Sequence, residues 1–258
     1  SEAFLTAALL SVSGGLQDAY TYIARGQVFA NAQTGNIVLL SQNLFSGNWG
    51  RVLHYLFPLC AFGLGVAAAE AIRWKFQKIR AVHWRQLVLL VEILLLLAVG
   101  LLSQPLNMLA NALVSFSCAM QVQAFRKVDG YAFASTMCIG NLRSGVESLM
   151  AGGRTQDRKL LGKAGHYFSV ILLFALGAGI GGLLIPRFGD KTIWFSCLIL
   201  TLGFLVMFIR EDLEENPDIQ AAENSIHQEL RQIGQDLHKE LDQEHDAIEQ
   251  QLHHPHKR

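Results

Sequence analysis

Asp18 stands inside an apolar run that begins at Ala3, and Glu92 inside another that runs from Leu87 to Leu102. A carboxylate in such company is costly to keep charged, so it marks proton transfer, cation binding or a buried partner. For Asp18 the candidate roles are proton carrier, cation ligand, or structural partner of Arg25 or Tyr22. Glu92 is either a deep functional carboxylate or an ion pair reaching back towards the basic residues around Arg85. Polar residues gather near Asp18. Gln17 precedes it, and Asn31, Thr34, Gly35 and Asn36 form a polar turn in the middle of the stretch Gly14–Leu40, whose two ends are apolar. Thr34-Gly35-Asn36 has the character of a helix start: threonine caps, glycine allows tight geometry, and asparagine adds an amide donor and acceptor. Free N–H groups at such a start attract anions or carbonyl oxygens.

A blurred copy follows about a hundred residues later. Ser117-Cys118-Ala119-Met120-Gln121 and then Phe133 to Asn141 repeat the polar break, contributing Gln121, Gly140 and Asn141. Arg143 and Glu147 come next at i,i+4 spacing, which suits a helix-surface ion pair as well as a pore lining. The candidate pathway residues are therefore Asp18, Gln17, Asn31, Thr34, Gly35, Asn36, Gln121, Gly140, Asn141, Glu92 and Arg143. Gln17 and Gln121 hold equivalent places in the two copies and either bind a solute or link helices. The position equivalent to Asp18 is Val122, so a proton role would belong to the first copy.

No catalytic constellation emerges. G-x-S-x-G, H-E-x-x-H and P-loop patterns are all missing, so the chain reads as a non-enzyme with no cofactor. Cys60, Cys118, Cys138 and Cys197 lie in apolar segments without metal-ligand spacing and read as small core residues. His54 and His166 occur once per half and read as packing residues.

The elements that must position these residues are membrane spans. Hydrophobic residues make up 51% of the 258, charged residues 16%, and the formal net charge is zero. Mean hydropathy is +0.29. Zero net charge leaves no electrostatic footprint for nucleic acid. The N-terminus lacks a basic region and a cleavage site, so the first helix reads as retained. Long runs nearly free of charge predict an all-α membrane protein with spans near 3–23, 53–72, 87–102, 106–125, 167–185 and 192–209. The apolar piece from Asn36 to Phe45 is about half of what a crossing needs. Arg73, Lys75, Lys78, Arg80, His83 and Arg85, with Trp74 and Trp84 among them, mark a cytoplasmic interface, and a second basic stretch reads as a linker through Arg154, Arg158, Lys159 and Lys163. Six spans put both basic regions and both termini in the cytoplasm, whereas eight would move four of these cations outside.

The halves match in order. Gly35-Asn36 pairs with Gly140-Asn141, His54-Tyr55 with His166-Tyr167, and Phe62, Leu64 and Gly65 with Phe174, Leu176 and Gly177 at one offset. Three spans per unit turn the second copy upside down. The reading is thus two inverted three-helix repeats, residues 1–103 and 104–210, each with a broken or re-entrant segment, followed by a tail at 211–258. Inverted repeats with paired broken helices are the architecture of many transporters, with the site near the midplane. The alternative for the broken segments is an interfacial loop and a short surface helix.

The pattern LQDAYTYIARGQVFANAQTGN, with its later AMQVQAFRK and GN, resembles the YoaK family of bacterial membrane proteins. The resemblance covers roughly residues 3–209, implies six spans in the bacterial cytoplasmic membrane, and brings no established substrate. The second copy departs from the first in having Ile139 where Thr34 stands.

The expected function is a secondary transporter or channel for a small polar solute or ion. A membrane sensor or scaffold with a partner-binding tail is the alternative, and a lipid enzyme has only scattered polar residues behind it. The tail predicts an amphipathic helix over 224–252, with Ile226, Leu230, Ile233, Leu237 and Leu241 on one face and an acidic opposite face. Docking on the basic loops or a coiled coil between protomers suits it better than anionic lipid. Its histidines read as a solvated face.

Overall fold

The protein is described over residues 2–76, 84–128, 131–132 and 136–215 of a computed structural model. Most of the helices are apolar runs, whereas α6 (Cys138–Thr155) mixes polar and apolar residues. Helix α1 (Glu2–Ala24) stops where Gly26 and Gln27 both take positive φ, 92° and 64°. Helices α2 (Gln33–Phe45) and α3 (Trp49–Phe76) follow, then α4 (Trp84–Val99). A 3₁₀ turn (Gln104–Leu106) starting around Pro105 leads into α5 (Asn107–Ala124). A two-residue antiparallel ribbon, β1 (Lys127–Val128) with β2 (Tyr131–Ala132), precedes α6 (Cys138–Thr155). Helix α7 (Arg158–Phe188), a 3₁₀ turn (Gly189–Thr192) and α8 (Ile193–Glu215) complete the described chain.

Much of the surface is apolar. Trp49–Phe76 and the stretch Arg158–Met207, which holds α7 and most of α8, are long and apolar enough to cross a membrane. Only 28% and 22% of their most apolar windows are buried inside the protein, so these residues mostly face outward. Leu64, Leu101, Leu172, Leu183 and Leu198 are all well exposed. A soluble fold would bury such surface, whereas lipid is its proper solvent. The interior is packed by Leu10, Leu89, Leu96, Val114, Met120, Ile193 and Leu200 among others.

Residues 1–208 form one compact unit in which helices from the two halves of the sequence interlock. The broadest packing is α1 along α7 and α3 along α5, with α2 laid on α3 and α6 on α7. Two of the tight approaches are reciprocal. A Cβ at Gly65 of α3 would lie 2.2 Å from the Phe116 carbonyl oxygen of α5, and one at Gly177 of α7 would lie 2.0 Å from the Val12 carbonyl oxygen of α1. Gly65 and Gly177 are equivalent in the two halves, and their neighbours are 104 positions apart, the same shift that relates Gln17 to Gln121. Small residues let membrane helices come this close. Gly177→Ala is expected to force the α1–α7 pair apart at a cost of about 1–3 kcal/mol, read as a loss of unfolding free energy in detergent, while Gly179→Ala, with open space around its Cβ position, leaves stability unchanged.

The apolar runs expected at 3–23, 53–72, 87–102, 106–125 and 192–209 are helical at nearly those bounds, except that α4 already ends at Val99. One boundary is corrected. Helix α6 runs to Thr155 and α7 begins at Arg158, so Arg154 lies on the last turn of α6 and Arg158, Lys159 and Lys163 on the first turns of α7, not in a linker. The local chemistry explains the difference. Gln156 takes the left-handed conformation that ends α6, and the Asp157 side chain accepts from the Lys159 N–H at 2.8 Å to start α7. The tail helix expected over 224–252, with its histidines, lies outside the described residues, as does part of the first basic loop (77–83).

Candidate functional site

After α1 ends, the chain turns back on itself. Residues 26–32 run alongside α1 until Asn31 reaches Asp18 and Gly14. The Asn31 backbone N–H donates to Asp18 Oδ1 at 2.7 Å, and Asn31 Nδ2 donates to the Gly14 carbonyl at 3.3 Å. Asp18 lies about 10 Å back along α1 from Arg25, and Gly14 about 16 Å back, at 1.5 Å per residue. Helix α2 then starts at Gln33 and returns. Its side chains hold the turn: Asn36 Nδ2 donates to the Phe29 carbonyl at 2.6 Å, and its Oδ1 accepts from the Phe29 N–H at 3.0 Å. Asn36 is fully buried, so its amide fixes the loop that carries Asn31. A Cβ at Gly35 would press on the Phe29 ring at 2.9 Å.

The second polar break reaches the same level from the other half. Thr136 packs against Gly14, where a Cβ would lie 2.3 Å from the threonine methyl. Helix α6 starts two residues later without a side-chain cap. Between the two helix starts lies a cavity of about 620 Å³. Asp18, Asn31, Gln33 and Thr34 line it from the first half, and Thr136, Cys138, Ile139 and Gly140 from the second. The rest of its wall is apolar and partly aromatic, formed by Tyr22, Phe29, Phe62, Met137 and Phe174. Tyr22 and Phe29 stack with ring centroids 4.7 Å apart. The Asn31 side-chain oxygen is buried and has no hydrogen-bond partner among the described residues.

Gln17 and Glu92 sit elsewhere, in the core behind the cavity. The Gln17 amide nitrogen lies 3.0 Å from Ser13 Oγ, 3.1 Å from Glu92 Oε1 and 3.1 Å from Ser196 Oγ, while the Cys118 thiol donates to Gln17 Oε1 at 2.6 Å. One amide thus ties α1 to α4, α5 and α8, with Glu92 fully buried at its edge. A partner for Glu92 in this cluster replaces the reach towards Arg85 that the sequence suggests; Arg85 Nε donates instead to the Ala124 carbonyl at 3.2 Å. Gln121 is buried on α5 and donates to the Leu10 carbonyl at 3.4 Å. Asn141 is buried on the first turn of α6. Arg143 is 81% exposed and pairs with Glu147 at 2.9 Å on the outer face of α6, away from the cavity wall.

Arg25 has partners other than the Asp18 that the sequence offers it. It is fully buried, donating to Tyr20 Oη at 2.7 Å, Asn107 Oδ1 at 2.9 Å, and the Val99 and Leu102 carbonyls at 3.2 and 2.8 Å. Asp190, at 3.6 Å, is its carboxylate. Its partner is therefore not Asp18. The guanidinium caps the carbonyl end of α4, and Asn111 Nδ2 in return donates to the Arg25 carbonyl at 2.8 Å. His54 Nε2 bonds the Gly26 carbonyl at 2.8 Å, and the His166 ring packs edge-on against Phe4 at 4.9 Å. Glu70 lies 3.5 Å from Arg73 and 3.9 Å from Arg126, and also accepts from Gln123. Sequence pattern did signal Phe62 and Phe174, since they occupy matched positions; no residue type announced Thr136 as a wall residue, and Arg25 was visible only as a candidate partner of Asp18.

The UPF0700 transmembrane protein YoaK of Bacillus subtilis (strain 168) is 29% identical over 210 residues, which cover 77% of this chain and 90% of that protein. No solved structure matches the chain. A transmembrane relative and outward-facing apolar helices agree on a membrane location. Residues 6–206 match the family described as protein of unknown function (DUF1275), and the chain belongs to that family.

Proposed function

We propose that the chain is a multi-pass transport protein of the bacterial cytoplasmic membrane, a carrier or channel for a small polar solute or ion, built as two inverted three-span repeats. The observation that carries this reading is the cavity in which both polar breaks meet, with the Asp18 carboxylate on its wall. Non-helical backbone at membrane depth occurs only where it is buried in protein or lines a wet space. The 26–32 segment runs back along α1 by about half the thickness of a hydrocarbon core, which favours re-entrant half-helices over interfacial ones.

Several contacts support six spans. Arg25, Val99, Leu102, Asn107 and Asp190 gather at one end of the bundle, joining the end of α1, the end of α4, the start of α5 and the α7–α8 turn. Glu70 with Arg126 and Arg85 with Ala124 gather the opposite helix ends. Alternating spans require this division. The reciprocal Gly65–Phe116 and Gly177–Val12 approaches are what a pseudo-twofold axis produces. Because Arg25 is consumed by internal hydrogen bonds, loop cations are left still more strongly on the 73–85 and 126–163 side, which favours that side and both termini as cytoplasmic.

Thiol accessibility in proteoliposomes tests the reading. Cys138 and an introduced Thr34→Cys line the cavity, whereas Cys118 is buried in the core. A membrane-impermeant maleimide is expected to label the first two and spare Cys118. Absence of label at both cavity positions would mean a dry, packed space and would sink the transport reading.

A further inference from the structure

We infer that Glu92 is a proton-binding site in the core of the bundle, and that the Gln17 amide passes its charge state to the cavity wall. The inference deepens the transport reading and rests on it only in making the proton the coupling ion. The binding of the proton stands on the cluster around Glu92.

Glu92 is fully buried, eight residues after the start of α4 at Trp84 and seven before its end at Val99. At 1.5 Å per residue it lies about 10–12 Å from either end of the helix, near the middle of a proposed span. A carboxylate at that depth is expensive, and taking up a proton relieves the cost. The Gln17 amide, a neutral donor, reaches it at 3.1 Å. Cys118 on α5 and Cys197 on α8 both feel its charge, and Asp18 on α1 also acts on Cys118. The cations near α4 work at its ends. Arg25 donates to the Val99 and Leu102 carbonyls, and Arg85 to the Ala124 carbonyl. On α3, Arg73 lies over the Trp84 ring at 6.0 Å with Glu70 beside it.

The geometry selects a proton over a metal ion. The Gln17 amide nitrogen stands 3.0 Å from Ser13 Oγ and 3.1 Å from both Glu92 Oε1 and Ser196 Oγ, and the two hydroxyl oxygens are 2.5 Å apart. A calcium or magnesium ion would need that central place, with oxygens at about 2.0–2.6 Å, and the amide fills it. An amide nitrogen has two hydrogens, so three oxygens share them. A proton on Glu92 adds a donor to this group and removes the charge. In uptake one O–H bond forms at the carboxyl; in release it breaks and the proton returns to water.

The other end of the same amide points the way to the cavity. Gln17 Oε1 accepts from the Cys118 thiol, which lies within reach of the Asn31 side chain and the Asp18 charge. Asn31 in turn holds Asp18 and Gly14. Two amides and a thiol thus join the buried carboxyl to the cavity wall. With Glu92 ionised, the amide nitrogen faces it. With Glu92 protonated, the amide turns over, its oxygen takes the new O–H and its nitrogen faces the Cys118 sulfur.

Infrared difference spectra of the full-length protein in nanodiscs, between neutral and alkaline pH, test proton binding directly. A carboxylic-acid C=O band is expected at neutral pH and is lost in alkali. Glu92→Gln removes that band, and Glu92→Asp, which keeps a carboxyl, shifts it. No band assignable to Glu92, or one unchanged at every pH, overturns the proposal. The link to the cavity is read at Cys138, which lines it, in a Cys60→Ser background with a membrane-impermeant methanethiosulfonate and mass spectrometry. Glu92→Gln resembles the protonated acid, so its labelling rate is expected to match the unchanged protein at neutral pH. In alkali the two rates are expected to differ at least about fivefold, the lower end of coupling between sites. Equal rates at every pH overturn the relay. A titrating Glu92 in a protein that moves nothing across proteoliposomes would refute transport and leave the proton site intact. Solute flux indifferent to both a pH gradient and Glu92→Gln would do the reverse.

Discussion

Arg25→Met is expected to remove about 3–5 kcal/mol of stability, the range for breaking a buried charged network by deleting one member. Five groups lose their donor at once: Tyr20 Oη, Asn107 Oδ1, the Val99 and Leu102 carbonyls, and the Asp190 carboxylate. Methionine fills much of the space, so the loss comes from stranded acceptors and not from a void. Arg25→Lys is expected to recover less than roughly half of it, since one ammonium cannot reproduce the planar fork that reaches a ring hydroxyl, an amide and two carbonyls together. Denaturant unfolding of the purified protein in detergent measures both variants. Equal stability of Arg25→Met and the unchanged protein would show that water or lipid headgroups satisfy this end of the bundle.

The second large effect belongs to Asp18, which has two separable jobs. Its carboxylate accepts the Asn31 N–H and so anchors the returning loop. It also supplies the negative charge on the cavity wall. Asp18→Ala removes both and leaves a buried N–H without an acceptor, for an expected cost of about 1–3 kcal/mol together with loss of flux. Asp18→Asn keeps an acceptor oxygen in place and removes only the charge. Its stability is expected to stay within about 1 kcal/mol of the unchanged protein, while flux falls at least about tenfold, equivalent to about 1.4 kcal/mol. Paired unfolding and proteoliposome measurements separate these outcomes. If the two variants lose stability equally and flux survives in both, Asp18 is a structural anchor alone.

Asp18 and the polar turn were legible in the sequence because membrane segments are so uniformly apolar that an acid or an amide stands out. Which polar atoms face a cavity was not legible. Asn31 and Asn36 look alike as letters, yet one bonds Asp18 and Gly14 on α1 and the other the backbone of Phe29. The true partners of Arg25 were hidden for a related reason: two of its acceptors are backbone carbonyls, and carbonyls carry no residue identity. The early start of α7 was hidden because cations on a first helical turn read the same as cations in a loop. The decisive signal there was short-range, an Asp157 cap one residue after a left-handed Gln156. Phe62 and Phe174 were visible only as a matched pair, and their shared place on the cavity wall gives that match its meaning.

The reciprocal glycine contacts bear on how the chain is made. Gly65 in the first half awaits a carbonyl on α5, and the Val12 carbonyl in that half awaits Gly177 on α7. A chain made only as far as α4 therefore holds the α2–α3 packing and the Gln17–Glu92 contact but neither glycine seam. The seam on α3 stays open until α5 is made, and the seam on α1 until α7 is made. Large proteins are most vulnerable in such half-built states, and here the wait lasts until most of the membrane-embedded chain has left the ribosome. The longest of the described helices, made after all but one of the others, is also the one that closes on the first.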